Sequence, residues 1–207
     1  MDKLPDNLVV IDLETGGLDE NLHPILELGA VDAAGRELNL RIRTEKMDML
    51  AEVLDVNGIA LHEVHEGLSV KRAMVRLYVW LMESHRYTWL LAGKNPNFDR
   101  GFLSKAWPES ELNGLSATIS RRTIDIHTLA YGWAMQERPE LDLTAKDFRT
   151  DLIYQSMGLS DEPKPHHALR GARLEMLALR FLICGEVPTA RQIELAMRPT
   201  RQEAQVT

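Results

Sequence analysis

Leu8-Val9-Val10-Ile11-Asp12-Leu13-Glu14-Thr15 is the stretch on which the reading of the fold turns. A short unbroken apolar run reads as a strand buried on both faces. The acids follow where the run ends. Residues at i and i+2 on a strand project to one face, so Asp12 and Glu14 converge at its C-terminal end. Two carboxylates held that close repel each other unless a cation lies between them, and hard divalent ions take oxygen ligands. Taken alone, an Asp-x-Glu is more simply a polar strand end with solvated acids, so the weight rests on what accompanies it.

Outward from this strand, Ile25 to Val31 and Glu37 to Arg43 read as two more strands joined by the turn Asp32-Ala33-Ala34-Gly35, giving an antiparallel meander. Ser69 is placed to cap a helix running to about His85, with Val70, Ala73, Met74, Leu77, Val79, Trp80 and Leu81 as its apolar positions. Thr88 to Ala92 reads as a buried fourth strand, Phe98 to Ala106 as a short helix, and Ser120 to Thr123 as a fifth strand stub. Asp125 caps a helix to about Gln136. Another helix is predicted from about Thr144 to Met157, and a last long one from near Pro165-His166 to Ile183. Strands first, then helices with later strands returning to the sheet, make an α/β plan. Residues 1–186 are expected to form one domain, and 187–207 a short C-terminal helix and polar tail.

The 207 residues, 44% hydrophobic and 27% charged, describe a globular chain rather than a disordered one. Lys plus Arg number 24 against 31 Asp plus Glu, a net charge of -7. That balance argues against broad coating of nucleic acid, which needs many phosphate-neutralising cations. It leaves room for a small acidic site that meets a phosphate through bound cations. Cys184 is the one cysteine, which excludes an intramolecular disulfide and a multi-cysteine zinc site. A cytoplasmic location is the simple reading. The polar, Pro-broken N-terminus is not a signal peptide, and no apolar run approaches the ~20 residues that cross a bilayer, so no membrane association is expected.

Further along lie Asn95-Pro96-Asn97-Phe98-Asp99, with an acid inside a helix start where the macrodipole favours it, and Pro165-His166-His167-Ala168-Leu169-Arg170-Gly171-Ala172, with histidines at the mouth of the last helix. Together with Ile11 to Leu18 and Ile25 to Val31, these segments resemble, in order, the motifs of the DEDDh exonucleases. That family includes RNase T, oligoribonuclease and the proofreading subunit of bacterial replicative polymerases. Asp125-Ile126-His127-Thr128-Leu129-Ala130 resembles a further family segment, with Ile126 in place of its Thr. The resemblance spans residues 7 to 182. It implies a ribonuclease-H-like fold, a five-stranded mixed sheet flanked by helices. It also implies two divalent metal ions, Mg²⁺ or Mn²⁺, and 3′–5′ removal of nucleoside monophosphates from single-stranded DNA or RNA ends. Carried over by position, Asp12 bridges both ions, Glu14 binds one near the nucleophilic water, Asp99 binds the other, and His166 is the general base. Leu13, Thr15, Gly16, Leu18 and Asn95 line the terminal nucleotide, with amides near Thr15 and Gly16 meeting its 3′-hydroxyl. The RNase T and oligoribonuclease likeness implies a homodimer.

One position departs. The family's fourth acid falls five residues after the catalytic histidine, and there stands Gly171; counting from His167 gives Ala172 instead. Three readings compete. Glu175, one turn on, reaches back as a replacement; or Gly171 is an inactivating substitution, natural or introduced; or three acids and the substrate phosphate hold enough metal for slower catalysis. Helix statistics make Glu175 a solvated surface acid in preference to a ligand, and an exonuclease of reduced activity is the favoured reading. The alternatives are a non-catalytic module that binds 3′ ends, and a scaffold subunit whose contact is the tail after Pro188. Arg170 and Arg173 are read as a solvated face, His62-Glu63-Val64-His65-Glu66 as a surface loop or helix, Trp80 and Trp89 as core, and Trp107 as the exposed tryptophan fit to stack a base. Met74, Met82, Met157 and Met176 are core filler.

Overall fold

In the computed structural model β1 (Leu8–Thr15) takes the centre of the sheet, which is why its first four residues are apolar on both sides. It pairs antiparallel with β2 (Ile25–Asp32), itself antiparallel to β3 (Glu37–Arg41). On its other edge it runs parallel to β4 (Trp89–Gly93), which is parallel to β5 (Ile119–Asp125). The order β3-β2-β1-β4-β5 contains the expected meander and both returning strands. The structure describes residues 3–45, 49, 57–59, 63–84, 88–112, 114–138, 154–160 and 162–199. The greater part of the helix expected at 144–157, His62 of the His-Glu cluster and the tail from 200 lie outside them.

Strand alternation sends Val9, Ile11 and Leu13 into one core and Leu8 and Val10 into another. The first core is closed by α1 (Val70–Met82), capped by Ser69 as expected, and α2 (Pro96–Ala106). After a 3₁₀ turn at Trp107–Ser110 and the short helix α3 (Leu115–Thr118), the chain crosses to the second face. That face is closed by α4 (Ile126–Glu137), α5 (Ala168–Cys184) and the capping-boxed α6 (Ala190–Ala196). The result is a five-stranded mixed sheet flanked by helices, the ribonuclease-H-like α/β fold.

Two expectations are corrected. Trp107 is 1% exposed, its ring edge-on to Tyr78 at 6.2 Å, so it is core and stacks no base. The Trp107-Pro108 pair opens a 3₁₀ turn tucked beneath α1 rather than a surface loop. Helix α5 begins at Ala168, later than Pro165-His166, because His167 is held extended. Its N–H donates to Glu162 Oε1 (2.9 Å) and its Nδ1 lies 3.4 Å from Glu27 Oε2. Trp80, Trp89, Met74, Met157 and Met176 are buried, whereas Met82 is half-buried.

Gly29 of β2, opposite Asp12, fixes how closely α5 can approach. A Cβ there would overlap the backbone at Ala168 and Leu169. Gly29→Ala is therefore expected to lower stability by roughly 1–3 kcal/mol, the range for overpacking. Urea unfolding measures this, and a change below about 0.5 kcal/mol would show that α5 is seated less tightly on the sheet.

Candidate active site

The row Leu8–Val10 faces α5, and its continuation carries Asp12 and Glu14 to the end of the strand on that face. Asp12 stands opposite Gly29 and Glu14 opposite Glu27. Glu27 is buried but answered, with Arg41 Nη1 at 3.4 Å and the His167 ring at 3.4 Å. Asp99, in the first turn of α2, is 5% exposed and accepts the N–H of Leu13 at 3.1 Å. That bond pins the helix start to the peptide between the two strand acids. Before it, Asn95 turns left-handed (φ 52°) and donates its N–H to Asp125 (3.0 Å), the carboxylate that also caps α4 through Thr128.

From α5 come the features that sequence reading misjudged. Glu175 is 7% exposed and no surface acid. Its carboxylate packs on the backbone of Gly93, where a Cβ would stand 2.6 Å from Oε2, and it accepts the Lys94 N–H. Arg170 and Arg173 are not a solvated face either. Arg170 is buried and donates to the carbonyls of Pro163 and Pro165 at 3.3 and 2.9 Å, and Arg173 forks onto Glu37 at 2.8 and 2.7 Å. At Gly171 a Cβ would run into the Asp12 carboxylate, and Glu162 Oε2 is 3.5 Å from that point. Glu162 and the buried Tyr154 carry no periodic pattern or motif that marks either of them in the sequence.

Burial is the main cause that raises these carboxyls, and each then raises the others. Asp12 is pushed up to about 7, by burial first and then by Glu162. Glu14, Asp99 and Glu175 are held well above the ordinary carboxylate range by burial and by the Asp12 charge. Glu162 is raised by burial. Tyr154 is raised by burial, then by the charges of Glu175, Asp12 and Glu162. Lys94, exposed at the rim, draws Asp12, Glu175 and Glu162 partly back. His166 is half-buried and lowered, by burial and then by Lys164, Lys94, Arg170 and His167.

Solved structures of the same architecture include exonucleases. An exonuclease I structure superposes with a TM-score of 0.68 at 14% identity over 91% of this chain and 42% of that chain. The zinc-ion-bound form of an E. coli exonuclease I–ssDNA complex gives 0.65 at 14% identity, covering 91% of this chain and 42% of that one. A 3′-exonuclease in 3′-end-specific recognition of a histone mRNA stem-loop gives 0.66 at 15%, covering 90% and 66%. The likeness is one of fold. This chain spans less than half the length of the exonuclease I chains it matches. No family model and no curated protein sequence matches it.

Around this site Leu13, Thr15 and Gly16 are buried, while Leu18 and Asn95 are exposed. The Leu13 side chain belongs to the first core, the Thr15 hydroxyl donates to the Gly17 carbonyl (2.7 Å), and the Gly16 N–H donates to Pro24 (2.8 Å). Leu18, 73% exposed, projects from this loop, as does Leu22. Among the described residues no three acids or imidazoles are already closed into a metal shell. The donor set nevertheless fits divalent ions. It is all oxygen, Asp99 and Glu175 are buried with Asp12 and Glu14 half-buried beside them, and their mutual repulsion is what a cation relieves. Among the described residues, no helix is long and apolar enough to cross a membrane.

Proposed function

We propose that the chain is a metal-dependent 3′–5′ exonuclease that releases nucleoside monophosphates from single-stranded ends. The observation that carries this reading is the gathering of Asp12, Glu14 and Asp99 at the end of the central strand, Asp99 buried and the two strand acids half-buried beside it. A structural role alone gives no reason for that much like charge in one enclosed place. Asp12, Glu14, Asp99 and Glu175 would hold Mg²⁺ or Mn²⁺. Ions so bound polarise the scissile phosphate and lower the pKa of water.

His166 is assigned the general base. His167 spends its N–H on Glu162 and faces Glu27, whereas among the described residues the His166 ring makes no hydrogen bond. Its lowered pKa keeps it neutral at pH 7, the form that accepts a proton. Leu18 and Asn95, exposed at the rim, are assigned to the terminal nucleotide.

Single-stranded DNA and RNA oligonucleotides labelled at the 5′ end, incubated with Mg²⁺ or Mn²⁺, test this. Time-dependent shortening from the 3′ end is expected, slowed by roughly 10²-fold or more in His166→Ala. No shortening together with no bound metal would sink the reading. Gly171 favours the second reading, a module that binds 3′ ends without cutting them. Tight end binding with intact substrate after long incubation would select it.

A further inference from the structure

We propose that Glu162, on the segment leading into α5, supplies the carboxylate that position 171 lacks and ligates the divalent ion shared by Asp12 and Glu14. The proposal rests on the metal-dependent reading above. It begins with the space at Gly171. A side chain there would displace the Asp12 carboxylate, and Glu162 Oε2 already stands 3.5 Å from where its Cβ would be. An acid reaching in from another segment therefore occupies the neighbourhood that a side chain on α5 would otherwise fill. The glycine makes room for the Asp12 carboxylate, and Glu162 stands within contact distance of the same point.

Glu162 is not on an idle loop. Its Oε1 accepts the His167 N–H at 2.9 Å, and Arg170 holds the following segment by its bonds to the carbonyls of Pro163 and Pro165. One carboxylate oxygen is thus tethered while the other is turned toward position 171. Glu162 acts on Asp12 and Glu14, whereas Glu175 acts with Asp12 and Asp99 and is fixed by the Lys94 N–H. The plain alternative is that Glu162 only caps the His167 amide. A cap needs one oxygen and no charge, and glutamine would serve as well. It gives no reason for a second oxygen turned toward the Asp12 carboxylate, a neighbour that Arg170 and Lys94 offset only in part.

The difference is measurable without turnover. Mn²⁺ alone is titrated into the full chain by calorimetry, in wild type, Glu162→Gln and Asp12→Asn. Glu162→Gln keeps the acceptor for His167 and removes the charge. Wild type should bind, Asp12→Asn should not, and Glu162→Gln should bind at least about 10-fold more weakly. If Glu162→Gln binds as wild type while Asp12→Asn does not, this assignment is overturned and the metal-dependent reading stands. If wild type itself binds no Mn²⁺, both fall. Should Glu162→Gln not fold, Glu162→Asp withdraws the carboxylate by one methylene, and unchanged affinity there overturns the assignment equally.

Discussion

Asp12→Asn is expected to lower 3′-end cleavage on the order of 10³-fold or more, while making the metal-free protein more stable. Both effects come from the same position. The Asp12 carboxyl sits at the centre of the cluster, since its charge raises Glu14, Asp99 and Glu175, and Glu162 raises it in turn. With metal bound it would be a charged donor to it, and an amide offers a neutral oxygen in its place. Without metal it is the charge that every neighbour must tolerate. Asparagine nearly conserves volume and offers an N–H₂ to the carboxylates around it, so the unfavourable term is removed without opening a cavity. Cleavage is read on a 5′-labelled oligonucleotide and stability by thermal unfolding in EDTA, where a rise of a few degrees is expected. A substituted protein that cuts within about 10-fold of wild type would remove Asp12 from the chemistry. One that melts lower in EDTA would mean that the acids repel less than their burial implies.

Residues whose role follows from local pattern were legible in the sequence, and those whose role follows from packing were not. The central strand declared itself by an apolar run, and period-two alternation put Asp12 and Glu14 on one face. Ser69 and Asp125 announced their helices by capping chemistry, and each accepts the N–H three residues on. Helix statistics describe an average exposed face and so send Glu175 to solvent. The first turns of α5 are instead enclosed nearly all round, so an acid there is buried whatever its type. What did point to it was its place four residues after Gly171, on the same side of the helix. Trp107 failed for a similar reason. Trp-Pro looks like a loop, yet the chain folds back beneath Tyr78. Glu162 had no signal, because its meaning depends on a glycine nine positions later and on how that glycine meets a strand from the other end of the chain.

In EDTA the melting temperature is expected to fall by roughly 5–10 °C between pH 5 and pH 8, and saturating Mn²⁺ should abolish or reverse that slope. Unfolded carboxyls titrate near pH 4. In the folded protein Asp12 holds its proton to about 7, and Glu14, Asp99, Glu175 and Glu162 are displaced upward as well. Between those limits the native state binds more protons than the unfolded one, so stability is full below about pH 4 and is lost as pH rises. His127 and His166 are lowered instead, and they favour the folded state as pH rises through their ordinary 6.5. Two half-buried imidazoles oppose five carboxyls, and the carboxyls prevail. Metal reverses the sign because it binds the deprotonated ligands and so competes with the proton. Mn²⁺ should therefore stabilise little at pH 5 and most at pH 8, and the two melting curves should diverge as pH rises. Equal stabilisation at both ends would place the ion away from these acids. A flat curve in EDTA would mean that the cluster is hydrated enough to ionise at ordinary pH, and the site would then hold its metal without the relief of buried charge that makes binding favourable here.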